Sequence, residues 1–312
     1  MVADRAHLHP THLLGEAIND FANFLLSFER LRPTTVHNYV TYAHRILTHL
    51  PPDAIAGEIS PVQLRGWLNH EDARGLSASS QQLQWYALHA YYRWLSTLGF
   101  TGRSPLDHVR PPRALPVARQ DYTADEAEAI TEAARATAQD GNRREQFDYA
   151  VLSTLRYTGI RRTELTTLRL SDLEIERTRL SVLGKGNKLR TVPLPPVYVE
   201  VMTWYLTEVR RYLPESDRLF ANPRSLLQGP HRGATNGKTL ERVVQRYGEM
   251  AGVAGPHLPH RWRHTYATYL LRRGLGISHI QKLLGHASMT TTSIYLHLVQ
   301  DDLQEGVTRA FG

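Results

Sequence analysis

Pro105, Pro111, Pro112 and Pro116 fall in a stretch that also carries Arg103, Arg110, Arg113 and Arg119. No helix or central strand runs through such a segment, because each proline lacks a backbone donor and fixes its φ. The stretch therefore reads as an extended basic linker that divides the 312-residue chain. The expected organisation is a first domain at 1–113, a linker at 114–121 and a second domain at 122–312.

Ahead of the linker the apolar residues recur every three or four positions, the period of one helix face. Leu14, Ala17, Ile18, Phe21, Phe24, Leu25 and Phe28 mark a first helix; Val36, Tyr39, Val40, Ala43, Ile46, Leu47 and Leu50 mark a second, closed by Pro51-Pro52. Ser60-Pro61 starts a third, with a capping hydroxyl followed by a proline at the first helical position. A fourth runs from about Ser77 to Leu98, with Leu83, Tyr86, Ala87, Ala90, Tyr91, Trp94 and Leu95 on its expected inner side.

Past the linker, Thr123-Ala-Asp-Glu126 is a capping box that opens a helix to about Ala138. Further helices are expected at 147–157, stopped by Gly159, and at 162–168. The run Leu173 to Leu183 alternates and meets Gly184-Lys-Gly-Asn-Lys188 before Thr191-Val-Pro-Leu, which predicts a β-hairpin with a basic tip. Helices follow at about 197–212, 238–251, 261–273, 277–284 and 290–298, with Gly252, Gly274 and Gly285 as stops.

Composition narrows the chemistry. Cysteine is absent, which excludes thiolate metal sites, disulfides and thiol nucleophiles. No apolar run approaches the roughly 18 residues of a membrane helix, and Met1-Val-Ala-Asp-Arg lacks a signal core; a cytoplasmic, nucleoid-associated protein with no membrane partner is expected. The net charge of +7 suits a polyanion, and it is concentrated after the linker. Between Glu249 and Asp301 there is no carboxylate, yet Arg261, Arg263, Arg272, Arg273, Lys282 and six histidines lie there.

Four clusters carry candidate chemistry. In Thr158-Gly-Ile-Arg-Arg-Thr-Glu-Leu165, Arg161 stands at a helix start, although an arginine pair alone is an ordinary surface feature. Gly184-Lys-Gly-Asn-Lys188 presents Lys185 on a turn; in a chain with four lysines among 37 basic residues, a lysine there suggests a proton to be given up, with a solvated turn as the plain alternative. Pro259-His-Arg-Trp-Arg-His264 sets His260 one helical turn before Arg263. A zinc site there lacks the glutamate of H-E-x-x-H, and the neighbouring arginines repel a dication. The fourth cluster, Leu283-Leu-Gly-His-Ala-Ser-Met-Thr-Thr-Thr-Ser-Ile-Tyr295, places His286 on a turn and Tyr295 on the next helix. Tyrosines are usually core residues, but adjacent guanidiniums favour a phenolate that can attack phosphorus. Tyr266 and Tyr269 compete on spacing and are expected to face the core.

In this order the four clusters resemble the catalytic domain of the tyrosine recombinases, the phage-integrase and Xer-like family. T-G-I-R-R-T-E-L is similar to its first arginine box, G-K-G-N-K-L-R-T-V-P-L to its lysine hairpin, H-R-W-R-H-T to its H-x-x-R box and L-L-G-H…Y to its terminal histidine and nucleophile. The resemblance implies a mainly α fold with a small antiparallel β-sheet: an N-terminal four-helix, SAM-like core-binding domain and an α+β catalytic domain, together forming a C-shaped clamp on DNA. It assigns catalysis to Arg161, Lys185, His260, Arg263, His286 and Tyr295, with Glu164 supporting the arginine box. Tyr295 would form a 3′-phosphotyrosyl link and Lys185 would protonate the leaving 5′ oxygen, with no metal, ATP or other cofactor. Arg162, Lys188, Arg190, Arg261 and Arg113 are expected on the DNA. Trp262 departs from the family's usual leucine without touching a catalytic position.

The implied partners are double-stranded DNA bearing a recombination site, three further copies in a synaptic homotetramer, and an accessory or paired recombinase; a monomer is expected in solution. Strand exchange through a Holliday junction is the leading reading. A DNA-relaxing enzyme of type IB topoisomerase kind and a non-catalytic helical DNA-binding protein remain open alternatives. Leu303, Val307 and Phe311 have helical spacing that suits docking of the tail on a neighbouring protomer.

Overall fold

The structure, a computed structural model, describes residues 14–51, 54, 58–99, 104–111, 113, 121–184, 187–223 and 235–285. It divides into two compact units, Met1–Val117 and Ala118–Gly312. The helix expected at 290–298 and the apolar tail lie outside the described residues. Among the described residues no helix is long and apolar enough to cross a membrane.

In the first unit α1 (Leu14–Ser27), α2 (Pro33–His44), α3 (Pro61–Ala73) and α4 (Ala78–Thr97) enclose an aromatic core. The start of α3 is a closed capping box: Ser60 Oγ accepts from the Gln63 N–H at 3.3 Å, and Gln63 Oε1 accepts from the Ser60 N–H at 2.9 Å. Such a cap contributes about 1 kcal/mol. α2 is shorter than its apolar spacing predicts and tightens at Arg45–Thr48 into a 3₁₀ turn that still buries Ile46 and Leu50.

The inner face of α4 also differs from expectation. Leu83 and Tyr86 are half exposed, whereas Trp85, Leu88 and Tyr92 join Tyr91 and Leu95 in the interior. Apolar residues surround this helix, so the choice of face falls to packing partners. Phe21 meets Tyr91 edge-on at 5.5 Å, and Trp85 Nε1 donates to the Val109 carbonyl at 2.8 Å. Phe28 is likewise turned outward at the end of α1.

In the second unit α5 (Ala124–Asp140) opens with the expected box, Thr123 and Glu126 exchanging bonds of 2.9 and 3.1 Å. α6 (Arg143–Thr158) starts a turn earlier than predicted because Asn142 and Glu145 form a second box. It is the central helix, packed against α5 and the later helices, and buries Phe147, Val151, Leu152 and Leu155. Within it, Thr154 Oγ1 donates to the Ala150 carbonyl and lies 2.8 Å from Tyr198 Oη. Gly159, at φ +57°, ends it in the left-handed conformation, and α7 (Arg162–Thr167) follows.

The alternating run at 173–183 is two strands rather than one. The chain reverses after Glu174, with Thr178 at φ +47°, so that β1 (Leu173–Glu174) pairs antiparallel with β2 (Arg179–Leu183). A two-pronged Arg179–Glu174 pair, both contacts 2.8 Å, closes this turn. β2 then pairs with β3 (Leu189–Pro193) in the expected hairpin, setting Leu180 opposite Val192 and Val182 opposite Arg190. Leu180, Val182 and Val192 are buried, so this face of the sheet looks inward.

The helix expected at 197–212 is regular only over α8 (Pro196–Trp204). It widens into a π turn at Tyr205–Val209, where both end residues are fully buried, and finishes as a 3₁₀ turn. α9 (Gly237–Met250), α10 (Pro259–Arg272) and α11 (Ile277–Leu284) complete the described fold, with Gly252, Gly274 and Gly285 all at positive φ.

Candidate active site

Arg161 precedes α7, and Arg263 stands in the second turn of α10. The tertiary fold brings both to the carboxyl end of α11. Arg161 Nη1 and Arg263 Nη2 donate to the same oxygen, the Leu284 carbonyl. Arg161 Nη2 reaches the Gly285 carbonyl at 3.4 Å, and Arg263 Nη1 donates to the Gly159 carbonyl at 2.8 Å. Leu284 and Gly285 close α11 and Gly159 closes α6, so these are orphan carbonyls of two helix ends, the negative poles of their dipoles. Arg263 is buried, whereas Arg161 keeps about a quarter of its side chain exposed, 26%.

Glu164 holds this arrangement from below. Its Oε2 accepts the Arg161 backbone N–H at 2.8 Å and its Oε1 the Arg161 side chain at 2.9 Å. Arg190 adds a two-pronged contact, Nη1 to Oε1 at 2.9 Å and Nη2 to Oε2 at 2.7 Å. Burial alone would raise the Glu164 carboxyl. The hydrogen bonds from Arg190 and Arg161 outweigh it and hold the pKa at about 2, so a buried carboxylate stays charged among cations.

Several expected positions need restating. Arg190, expected on the DNA, is turned inward; besides Glu164 it donates Nε to the Leu283 carbonyl at 2.7 Å. Strand period two signals this, because Val192 is buried and residue 190 shares its face. Arg261, also expected on the DNA, is buried. Its guanidinium lies 3.8 Å from the centre of the Tyr122 ring and donates to the Ala254 and Pro256 carbonyls. An α10 that starts at Pro259 explains this, since it places Arg261 on the inner side of the first turn. Arg162 is half exposed and paired with Glu241 on α9, while Lys188 on the hairpin and Arg113 in the first unit are exposed. His260 is exposed in the first turn of α10.

Trp262 fills the core next to Tyr122, 4.9 Å ring to ring. Tyr266 is buried, and burial pushes its hydroxyl up to about 12 despite Arg190 nearby, which makes it a poor nucleophile. Tyr269 does not face the core as expected; it is half exposed under Arg273. Lys185, His286 and Tyr295 lie outside the described residues. Among the described residues no three histidines or carboxylates gather to hold a metal ion.

Residues 120–301 match the phage integrase family, and residues 18–98 match the phage integrase N-terminal SAM-like domain. The chain belongs to the phage integrase family. This integrase-family chain is 31% identical to the tyrosine recombinase XerC of Thermodesulfovibrio yellowstonii, over 77% of its own length and 78% of the relative's. It is 31% identical to the tyrosine recombinase XerA of Pyrococcus furiosus over 96% of its length and 95% of that protein's. A lambda integrase tetramer bound to a Holliday junction shares its fold, with a TM-score of 0.71 at 21% identity, covering 91% of this chain and 77% of the other. By this kinship the integrase-family chain is a tyrosine-type site-specific recombinase.

Proposed function

We propose that this recombinase cuts and rejoins duplex DNA through Tyr295. The observation that carries the reading is the meeting of Arg161 and Arg263 on one carbonyl oxygen, since two guanidiniums that share an acceptor can also share a phosphate. Arg161 makes only long contacts to the helix end, 3.3 and 3.4 Å, and exchanging these for charge-assisted bonds to a phosphate is favourable.

In this scheme Tyr295, its phenol proton lost to solvent and its phenolate favoured by the adjacent guanidiniums, attacks the scissile phosphorus through Oη and forms a 3′-phosphotyrosyl bond as the bond to the 5′ oxygen breaks. Lys185 gives its proton to that oxygen. Arg161 and Arg263, with His260 and His286 as further donors, neutralise the charge that builds on the non-bridging oxygens. Glu164 reacts with nothing; it keeps Arg161 aimed. A 5′ hydroxyl of a second duplex then reverses the step, and four copies on two sites exchange strands through a Holliday junction. The tetrameric lambda integrase fold neighbour supports this assembly. We place the protein in the cytoplasm with chromosomal or element DNA. Lys188, Arg162 and Arg113 serve as contacts to the DNA backbone.

The test is a nicked suicide duplex carrying the recombination site, mapped by footprinting of DNA flanking the gene. A protein–DNA adduct that resists denaturation is expected, lost in Tyr295→Phe. An adduct that persists in that variant overturns the assignment. Relaxation of supercoiled DNA lacking paired sites, by the protein as a monomer, would favour a relaxing enzyme instead.

A further inference from the structure

Arg190 stands apart from the groups used so far, and its surroundings are built with unusual economy. Its side chain is 10% exposed, and all three of its guanidinium nitrogens are engaged. Two go to Glu164, at the start of the helix that follows Arg161. The third goes to the Leu283 carbonyl, three residues before His286. The residue itself sits on β3, which follows Lys185 in the sequence. One planar group on β3 therefore ties that strand to two further chain segments, the start of α7 and the end of α11.

The helix end is shaped around it. Gly285 stands at φ +63°, and a Cβ there would come within 3.0 Å of Arg190 Cδ and 3.3 Å of its Nη1. Gly184, at the base of the hairpin, likewise lies close to Arg190 Nη1. Glycine thus flanks the guanidinium on both the hairpin side and the histidine side. The bonds to Glu164 and to the Leu283 carbonyl occupy every nitrogen of the group, which leaves it spent on neighbours from its own fold.

We propose that Arg190 is a positioning residue that locks the β2–β3 hairpin, the arginine box and the carboxyl end of α11 into one register for cleavage. This rests on the function proposed above. The group acts through its neighbours rather than on the phosphate. Its fork geometry is the point: a lysine can replace the charge but cannot hold both carboxylate oxygens and a carbonyl at once.

The experiment measures single-turnover cleavage of the suicide duplex at saturating enzyme, with rates taken per active site from the burst amplitude. DNA affinity is measured in parallel across a salt series. Arg190→Gln and Arg190→Lys are both expected to slow cleavage at least about tenfold, as misplacement of reacting groups does. Affinity should stay within about twofold and the salt slope should be unchanged, since no phosphate contact is lost. If Arg190→Gln fails to fold, Arg190→Lys carries the test. Combining Arg190→Lys with Glu164→Gln should cost little more than the worse single change.

Full cleavage by folded Arg190→Lys overturns the inference. So does a salt slope smaller by about one, which marks a phosphate contact. Fully additive rate losses in the double variant overturn it too. Absence of an adduct with the wild-type protein is a different failure: it removes the cleavage reading itself, and the inference with it.

Discussion

The ring of Tyr266 occupies the place where a Cβ on Gly159 would have to go, 2.4 Å from Cδ1 and 2.7 Å from Cγ. Gly159 also stands at φ +57° and gives its carbonyl to Arg263. The end of α6, the aim of Arg263 and the packing of α10 are thus one contact. Gly159→Ala combines backbone strain with a clash against a buried ring, and should destabilise the second unit by at least about 2 kcal/mol. Chemical denaturation is the measurement; a change under about 0.5 kcal/mol, the size of a neutral surface substitution, would contradict this account.

Arg261 belongs to the interior of the same unit. Arg261→Gln removes a cation stacked on Tyr122 and leaves the Ala254 and Pro256 carbonyls without that donor. A loss of about 2 kcal/mol in unfolding free energy is expected. The dependence of DNA affinity on salt should not change, because the guanidinium is buried against Tyr122 and two backbone carbonyls. A flatter salt slope in Arg261→Gln would show that it reaches the DNA after all.

Lys188 is the opposite case. It is exposed on the hairpin, where its carbonyl accepts the Gly184 N–H at 2.9 Å and so fixes the backbone without using the ammonium. Lys188→Gln should leave thermal stability unchanged, weaken binding to any duplex, and reduce the slope of log affinity against log salt by about one. An unaltered slope would remove Lys188 from the interface.

Glu164 sets an acid limit on the fold. Its carboxyl is held at about 2 in the native state against an ordinary value of 4.5. A depressed native pKa contributes stability that is complete above the unfolded value and is lost as pH falls through the native one. Stability should therefore decline between about pH 4.5 and 2, and Glu164→Gln should flatten that decline while lowering stability at neutral pH. Thermal unfolding of both proteins across this range checks it; parallel pH profiles would mean that other carboxylates carry the acid sensitivity.

Helix periods, caps and breakers were legible in the chain because they are local. Ser60-Pro61, the Thr123 box and the glycines at 159, 252, 274 and 285 act within four residues of themselves, so their outcome does not depend on the rest of the fold. The motif order was equally readable and led to the family that the comparisons show. What lay beyond the sequence was the choice among faces and partners. α4 could bury more than one side, and Phe21 and Val109 settled which. A run that alternates from Leu173 to Leu183 reads as one strand until the Arg179–Glu174 pair folds it back. Arginines 261 and 263 look like any surface arginine as letters; only the folded chain decides that they are enclosed while Lys188 faces water. The reason is physical. A buried guanidinium is stable only where carboxylate, carbonyl or ring partners from distant segments converge on it, and that convergence is a property of tertiary structure.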